Sequence, residues 1–289
     1  MDSFLKVELD RLPEYSPWPG RIMSIEQWNA PDVRDKGQIL REYGEKWGRL
    51  IEAYKKQRPA DLKQALDFLF DTHFPDRLLF HVDEEIFYAE TDSRFWNFFY
   101  SKIIGILNQY LSSEDTIVEL GCGWGRNLFY FLHSGVCREA IGGEYTPEGL
   151  ELGELIKNHF NLLIEFHHFD FRRPEGEFLK KIEGKVVFTH NSIEQINYLS
   201  KDMVLNLAAA SPKVVIHFEP VYEYRDKISL LHFLWKRYTE INDYNRNLIT
   251  VLKEVEAGGR IEIILEKIHH LGLNAFNPGS VIVWKPKGK

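Results

Sequence analysis

Cysteine is scarce. The 289 residues contain two, Cys122 and Cys137, too few for a disulfide framework and at no metal-binding spacing. The paired histidines, His167-His168 and His269-His270, fall on expected strands or strand ends. Neighbouring strand residues face opposite sides, so neither pair chelates, and no metal is expected. Basic charge is also in deficit: 36 Lys and Arg stand against 43 Asp and Glu, a net −7. A phosphate-backbone binder usually carries the opposite balance, so nucleic acid is not an expected partner. The short basic runs at 55–58 and 180–181 read as solvated surface. No apolar run approaches the ~20 residues of a membrane helix. The N-terminus lacks the apolar core of a signal peptide, so the expectation is a cytoplasmic protein with no membrane partner. Internal repeats and low-complexity linkers are absent too.

Aromatics, by contrast, are plentiful, with 20 Phe, 13 Tyr and 7 Trp. They suit a core and equally the wall of a small-molecule pocket. The most informative stretch is 116–127, TIVELGCGWGRN. A β-branched apolar run enters a loop with glycine at 121, 123 and 125, and an amphipathic run follows at once. This reads as strand, glycine loop, helix. Glycine lets the backbone turn tightly and approach a ligand, while the helix start offers free N–H groups. An ordinary tight turn is the other reading of the loop alone. The dinucleotide fingerprint G-x-G-x-x-G is not met, because the third glycine comes one residue early. Glu119 stands two residues before the first glycine, where a pyrophosphate would disfavour a carboxylate.

Downstream the pattern repeats. Expected strands at 140–146, 162–169, 185–191 and 212–219 alternate with segments of helical period, which implies a parallel sheet. Glu144, Asp170, His190 and Glu219 all fall at strand ends, and in such sheets ligands bind outside the carboxyl ends of the strands. Segments 259–268 and 280–285 read as two closing strands, joined by the polar loop 271–279.

Glu-x-Gly-x-Gly-x-Gly at 119–125, with acids at 144 and 170 and the closing strand pair, resembles the class I S-adenosylmethionine (SAM) methyltransferases. The resemblance covers roughly 113–289. It implies an α/β fold, with a Rossmann-like, mostly parallel seven-stranded sheet and helices on both faces. SAM is the cofactor it implies, held by Glu119, Gly121, Gly123, Gly125, Asn127, Glu144 on the ribose, Asp170 and Phe171 on the adenine, and His190. The Asn/Asp-Pro-Pro-Tyr of nucleic-acid amino-methyltransferases is missing after strand four. The segment 189–195 is instead similar to the Ser-x-Glu-His of small-molecule methyltransferases, with Gln195 where His is common. The expected activity is methyl transfer to an oxygen or nitrogen of a small molecule, sugar-like or a secondary metabolite. A protein methyltransferase and a SAM-binding partner subunit without catalysis are the alternatives.

His190 is the candidate base, imidazole titrating near neutrality; a strand-end histidine touching SAM through its backbone is the other reading. Glu219 is a second catalytic candidate. Residues 1–112 lack the βα pattern and read as an N-terminal helical extension forming a cap or lid. They comprise a proline-punctuated arm with Tyr15 and Trp18, then helices at 35–54, 60–69 and 93–111. Ile39, Tyr43, Trp47, Leu50 and Ile51 form the apolar stripe of the first helix. Tyr88 and Arg94 are further candidates, though helix capping by Asp92 or Ser93 accounts for that segment equally. A polar insertion at about 222–252 follows strand five. Tyr15, Trp18, Asn191, Glu194, Tyr222, Tyr244 and Arg246 are the expected acceptor contacts.

Overall fold

The computed structural model describes residues 4–26, 36–112, 114–174 and 177–288. The chain opens with β1 (Leu5–Lys6) and the short helices α1 (Leu12–Tyr15) and α2 (Trp18–Ile22). Two longer helices follow, α3 (Lys36–Gln57) and α4 (Leu62–His73), the latter capped by the Asp61 carboxylate on the Gln64 N–H. Next comes a hairpin, β2 (Arg77–Val82) and β3 (Glu85–Glu90), and then α5 (Ser93–Leu107). Asp92 caps α5 by accepting from the N–H groups of Arg94 and Phe95, the capping role open to it from sequence.

From there strand and helix alternate: β4 (Ile117–Leu120), α6 (Arg126–His133), β5 (Ala140–Glu144), α7 (Pro147–Phe160) and β6 (Ile164–His168). The alternation continues through α8 (Glu177–Lys180), β7 (Val186–His190), α9 (Lys201–Ala209) and β8 (Val214–Pro220). α10 (Leu230–Ile241) and α11 (Leu248–Ala257) precede β9 (Ile261–Lys267), β10 (Leu271–Gly272) and β11 (Gly279–Pro286). Seven strands form one sheet in the order β6-β5-β4-β7-β8-β11-β9. β4 pairs in parallel with β5 and β7, β5 with β6, and β7 with β8, whereas β11 runs antiparallel to both its neighbours. This is the seven-stranded, mostly parallel sheet expected from the sequence. β4 and β8 are buried throughout, as strands covered on both faces must be. The strand order reverses beside β4, so the crevice outside the ends of β4 and β7 is where such a sheet takes a ligand.

The N-terminal part is not only helical. β1, β3, β2 and β10 make a second, four-stranded sheet. Its hairpin turns on Asp83 and Glu84, both at positive φ (+48° and +70°). Such a two-residue turn normally advertises itself with Asn-Gly or Asp-Gly; here no glycine marks it. β10, from the far end of the chain, pairs with β2 through Leu271 and Val82, so the second sheet is built from both ends of the sequence. One apolar core holds Trp47, Leu66 and Phe95 together with Ile117, Val186 and Val283, joining the extension to one face of the main sheet. The other face packs Val118, Val187 and Ile282 against Met203 and Leu252.

Candidate functional site

β4 delivers the chain into a loop whose three glycines lie in the left-handed region, Gly121 at φ +73°, Gly123 at +58° and Gly125 at +82°. A Cβ on Gly121 would stand 2.4 Å from the Ser192 Cβ, so glycine there is required both by conformation and by close approach. Gly125 lies just below, as the N-cap of α6. Above the loop, at the switch point, opens a cavity of about 430 Å³, within the range of small-molecule sites.

Three carboxylates from three strands face it. Glu119, on β4, is buried; its Oε1 accepts from Asn127 Nδ2 at 2.5 Å. Its Oε2 has no hydrogen-bond partner among the described residues. Burial pushes its pKa up to about 8, against the opposing Asn127 hydrogen bond. Asn127 is itself fixed, its Oδ1 accepting from Tyr100 Oη at 2.9 Å. Glu144 closes β5: Oε2 accepts the Gly123 N–H at 2.8 Å and Oε1 the Thr146 N–H and hydroxyl at 2.9 and 2.6 Å. Asp170 follows β6 and accepts the Arg172 N–H at 2.9 Å. Phe171 beside it is buried, edge-on to Phe169 with ring centres 5.0 Å apart.

His190, the last residue of β7, lies edge-on to Phe99 at 5.8 Å, with its Nδ1 3.5 Å from Asn127 Nδ2. Burial, and then the Arg126 charge, lower its pKa to about 3. The ring is therefore neutral at physiological pH, an acceptor without a charge of its own.

Of the expected contacts, Asn191, Glu194 and Tyr244 also line the cavity, whereas Tyr15, Trp18, Tyr222, Arg246, Gly125 and Glu219 do not. Glu219 is fully buried beneath the floor and accepts from the N–H groups of Ser192, Ile193 and Glu194 at 3.0, 3.2 and 3.3 Å. Burial raises its pKa, with those donors pulling the other way. Its place is that of an anchor for the loop after β7, out of reach of a molecule in the cavity. The Tyr222 hydroxyl donates to Glu240 and Arg246 to Asp243.

The asparagines of 242–247 are occupied with backbone. Asn245 Nδ2 donates to Ile196 O at 2.7 Å, and Asn247 exchanges hydrogen bonds with both N–H and C=O of Leu199. Asn245 and Asn247 thereby brace the loop at 194–199. Tyr15 and Trp18 pack against Tyr88 and Tyr238, ring centres 4.8 and 4.5 Å apart, and line a surface depression that adjoins the cavity, sharing Phe74, Leu273 and Asn274 with it. Arg94 pairs with Asp92 on the surface.

The cavity's second wall comes from elsewhere in the extension. α3 contributes Ile39, Tyr43, Lys46 and Trp47, and the end of α4 contributes His73 and Phe74. Ile39, Tyr43 and Trp47 are positions that sequence periodicity assigned to a core stripe. Lys46 Nζ lies over the Tyr43 and Trp47 rings at 5.4 and 5.2 Å, and Arg126 over Phe74 at 5.0 Å. Neither cation makes an ion pair among the described residues. Burial, and then Arg126, lower the Lys46 pKa. His73, stacked on Trp47, is held neutral by burial and by both cations, with a pKa of about 2. A lysine on an apolar helix stripe, and an arginine directly after the third glycine, were the available signals.

No family model matches the sequence, and a search of the curated proteins finds no match. A search of solved structures does find matches, methyltransferases among them. A magnesium protoporphyrin IX methyltransferase from Synechocystis PCC 6803 with bound S-adenosylhomocysteine (SAH) is 11% identical, at TM-score 0.49, over 88% of this chain and 100% of that one. Geranyl diphosphate C-methyltransferase from Streptomyces coelicolor A3(2), also with S-adenosylhomocysteine, is 13% identical at TM-score 0.44 over 65% and 79%. The methyltransferase domain of bacterial CtHen1-C is 15% identical at TM-score 0.45 over 65% and 96%. All three TM-scores lie below 0.5, so the chemistry has to come from the cavity's own residues.

Proposed function

We propose that this protein transfers a methyl group from SAM to an oxygen or nitrogen of a small-molecule acceptor. The observation that carries the reading is the unpartnered, buried Oε2 of Glu119 beside the glycine loop. A buried carboxylate oxygen with no donor calls for a cationic or N–H ligand, and SAM brings an ammonium and a sulfonium. Glu119 would take the ammonium. Arg126 and Lys46, with no ion pair among the described residues, would take the carboxylate of the same amino-acid end. Glu144 at the tip of β5 would hold the ribose hydroxyls, and Asp170 with Phe171 the adenine. When bound, SAM supplies an electrophilic methyl whose leaving group needs no acid.

The remaining work falls to residues at the far side of the cavity. His190, neutral and hydrogen-bonding, is placed to orient an acceptor O–H or N–H and to receive its proton as the bond to carbon forms. Asn191, Glu194 and Tyr244 offer polar contacts to a hydroxyl-bearing acceptor, sugar-like or a decorated metabolite. The aromatic wall of Tyr43, Trp47 and Phe74 excludes water from one side. The test is titration calorimetry of the purified protein with SAM, SAH and NADH. Binding of the first two without the third is the expected result, followed by SAH release when small-molecule pools are added. Binding of NADH alone would remove the proposal.

A further inference from the structure

Away from the cavity, three segments distant in sequence bring metal-ligating side chains together. Glu84 lies in the β2–β3 turn, His232 in the first turn of α10, and His269 just after β9. One donor atom from each lies within 4.8 Å of the other two. Both histidines are buried, at 2% and 0% exposure. Neither ring nitrogen of His232 has a hydrogen-bond partner among the described residues, and nor does His269 Nε2. A buried imidazole normally satisfies its one donor and one acceptor, and leaving such atoms unmade costs about 1–3 kcal/mol each. His269 Nδ1 already faces the Glu84 carboxylate, so of these orphaned atoms it is the His232 ring, buried with no partner beside that carboxylate, that calls for a ligand.

We propose that Glu84, His232 and His269 bind one divalent first-row transition metal ion, Zn²⁺ by the chemistry of the donors. Two imidazoles and one carboxylate are a donor set zinc accepts, with water in the fourth position. His269 Nδ1 and Glu84 Oε1 stand 3.3 Å apart, the separation of two ligands about 2.0–2.1 Å from a tetrahedral ion. The present neighbour of Glu84 Oε1 is Lys227 Nζ at 2.6 Å, an exposed side chain able to swing into water. The buried Arg225 guanidinium, held by Trp235 O and Asn277, adds positive charge nearby. Attraction must therefore come from metal–nitrogen bonds, which favours zinc over calcium or magnesium. The ion would be structural, pinning the hairpin turn of the second sheet to α10 and to the end of β9. Sequence spacing could not reveal it, because the three ligands come from positions 84, 232 and 269.

The experiment uses the full-length protein without a histidine tag, stripped with a chelator and dialysed. Elemental analysis after ZnCl₂ addition should find one ion per chain, and Co²⁺ should give the absorption bands of a tetrahedral site. Zinc should also raise the unfolding temperature, while Mg²⁺ and Ca²⁺ should not. Glu84→Gln, on an exposed turn, keeps the fold by circular dichroism and should weaken zinc by at least the 10–100-fold that lost supporting contacts cause. His232→Phe should abolish the cobalt bands. Stripped protein that takes up neither Zn²⁺ nor Co²⁺ overturns the proposal. So does unchanged uptake by Glu84→Gln, or equal binding of Ca²⁺.

Discussion

Glu119 shows how a single carboxyl can report on its ligand. At about 8 its pKa lies above the ordinary value of 4.5, so near pH 7 the free protein holds it mostly protonated. An ammonium seated against Oε2 would ionise it. SAM binding at pH 7 should therefore release about one proton, and binding at pH 9 should release none. Calorimetry in buffers of different ionisation enthalpy measures this directly; proton-neutral binding at pH 7 would detach Glu119 from the ligand. The same shift has a sign for stability. The folded state binds the extra proton, so this contribution is complete below pH 4.5 and is lost as pH rises through about 8.

Glu144→Ala should weaken SAM by roughly 1.5–3 kcal/mol, the range for hydrogen bonds to a charged group. His190→Ala should leave SAM affinity nearly intact. If the ring is the base, turnover should fall roughly 10²–10⁴-fold. With a pKa of about 3, His190 should contribute no titration to turnover between pH 5 and 8, and an inflection near 6.5 that vanishes in His190→Ala would contradict the geometry. Its folded pKa lies below the unfolded value, so its share of stability is lost as pH falls from 6.5 towards 3.

The acids at 144 and 170 were readable in the sequence because βα alternation fixes where strands end. Glu219 was not. It also stands near the end of a strand, but which way its carboxylate turns depends on how the loop after β7, earlier in the chain, folds over it.

At the scale of elements, the loop between β7 and α9 sets the cavity floor and is held from two sides. Glu219 holds its start through the Ser192, Ile193 and Glu194 N–H groups, while Asn245 and Asn247 hold Ile196 and Leu199. Within the polar insertion expected to meet the acceptor, Tyr244 does line the cavity, whereas the Asn245 and Asn247 side chains hold backbone. Short-range pattern cannot distinguish a side chain that meets a ligand from one that meets a loop. The Asp83-Glu84 hairpin was illegible for a related reason, since its positive-φ turn carries no glycine. The loop's role gives a test at Gly121. Alanine there meets Ser192 at 2.4 Å in a left-handed conformation, so overpacking should cost about 1–3 kcal/mol. Thermal unfolding should show that loss, and SAM titration should show binding abolished. A Gly121→Ala protein that binds normally would mean the loop is not the cofactor's platform.

Across the whole molecule, the boundary near residue 112 separates two patterns of sequence without separating two cores. The βα half was legible because its period repeats. In the extension the three long helices were legible near their observed bounds, but the second sheet and the packing were not, because they are set by partners far along the chain. α3 walls the cavity, β10 completes the second sheet, and Trp47 shares a core with Val186. The first arm is different. Val7, Leu12 and Ile22 pack with Leu79, Ile86, Leu234 and Phe276, while Tyr15 and Trp18 reach Tyr88 and Tyr238, all outside the cavity lining. Removing residues 1–26 should therefore act on stability. Three buried aliphatic side chains at about 1.5–3 kcal/mol each give roughly 4.5–9 kcal/mol, an upper range because the unfolded chain already buries part of that surface. The unfolding temperature should fall by several degrees. SAM affinity, measured well below that temperature, should stay within about twofold. A protein beginning at residue 113 should instead fail to fold, since it lacks α3, α4 and α5 from the shared core. Loss of SAM binding in the short truncation, with its circular dichroism intact, would return the arm to the role of a lid over the site.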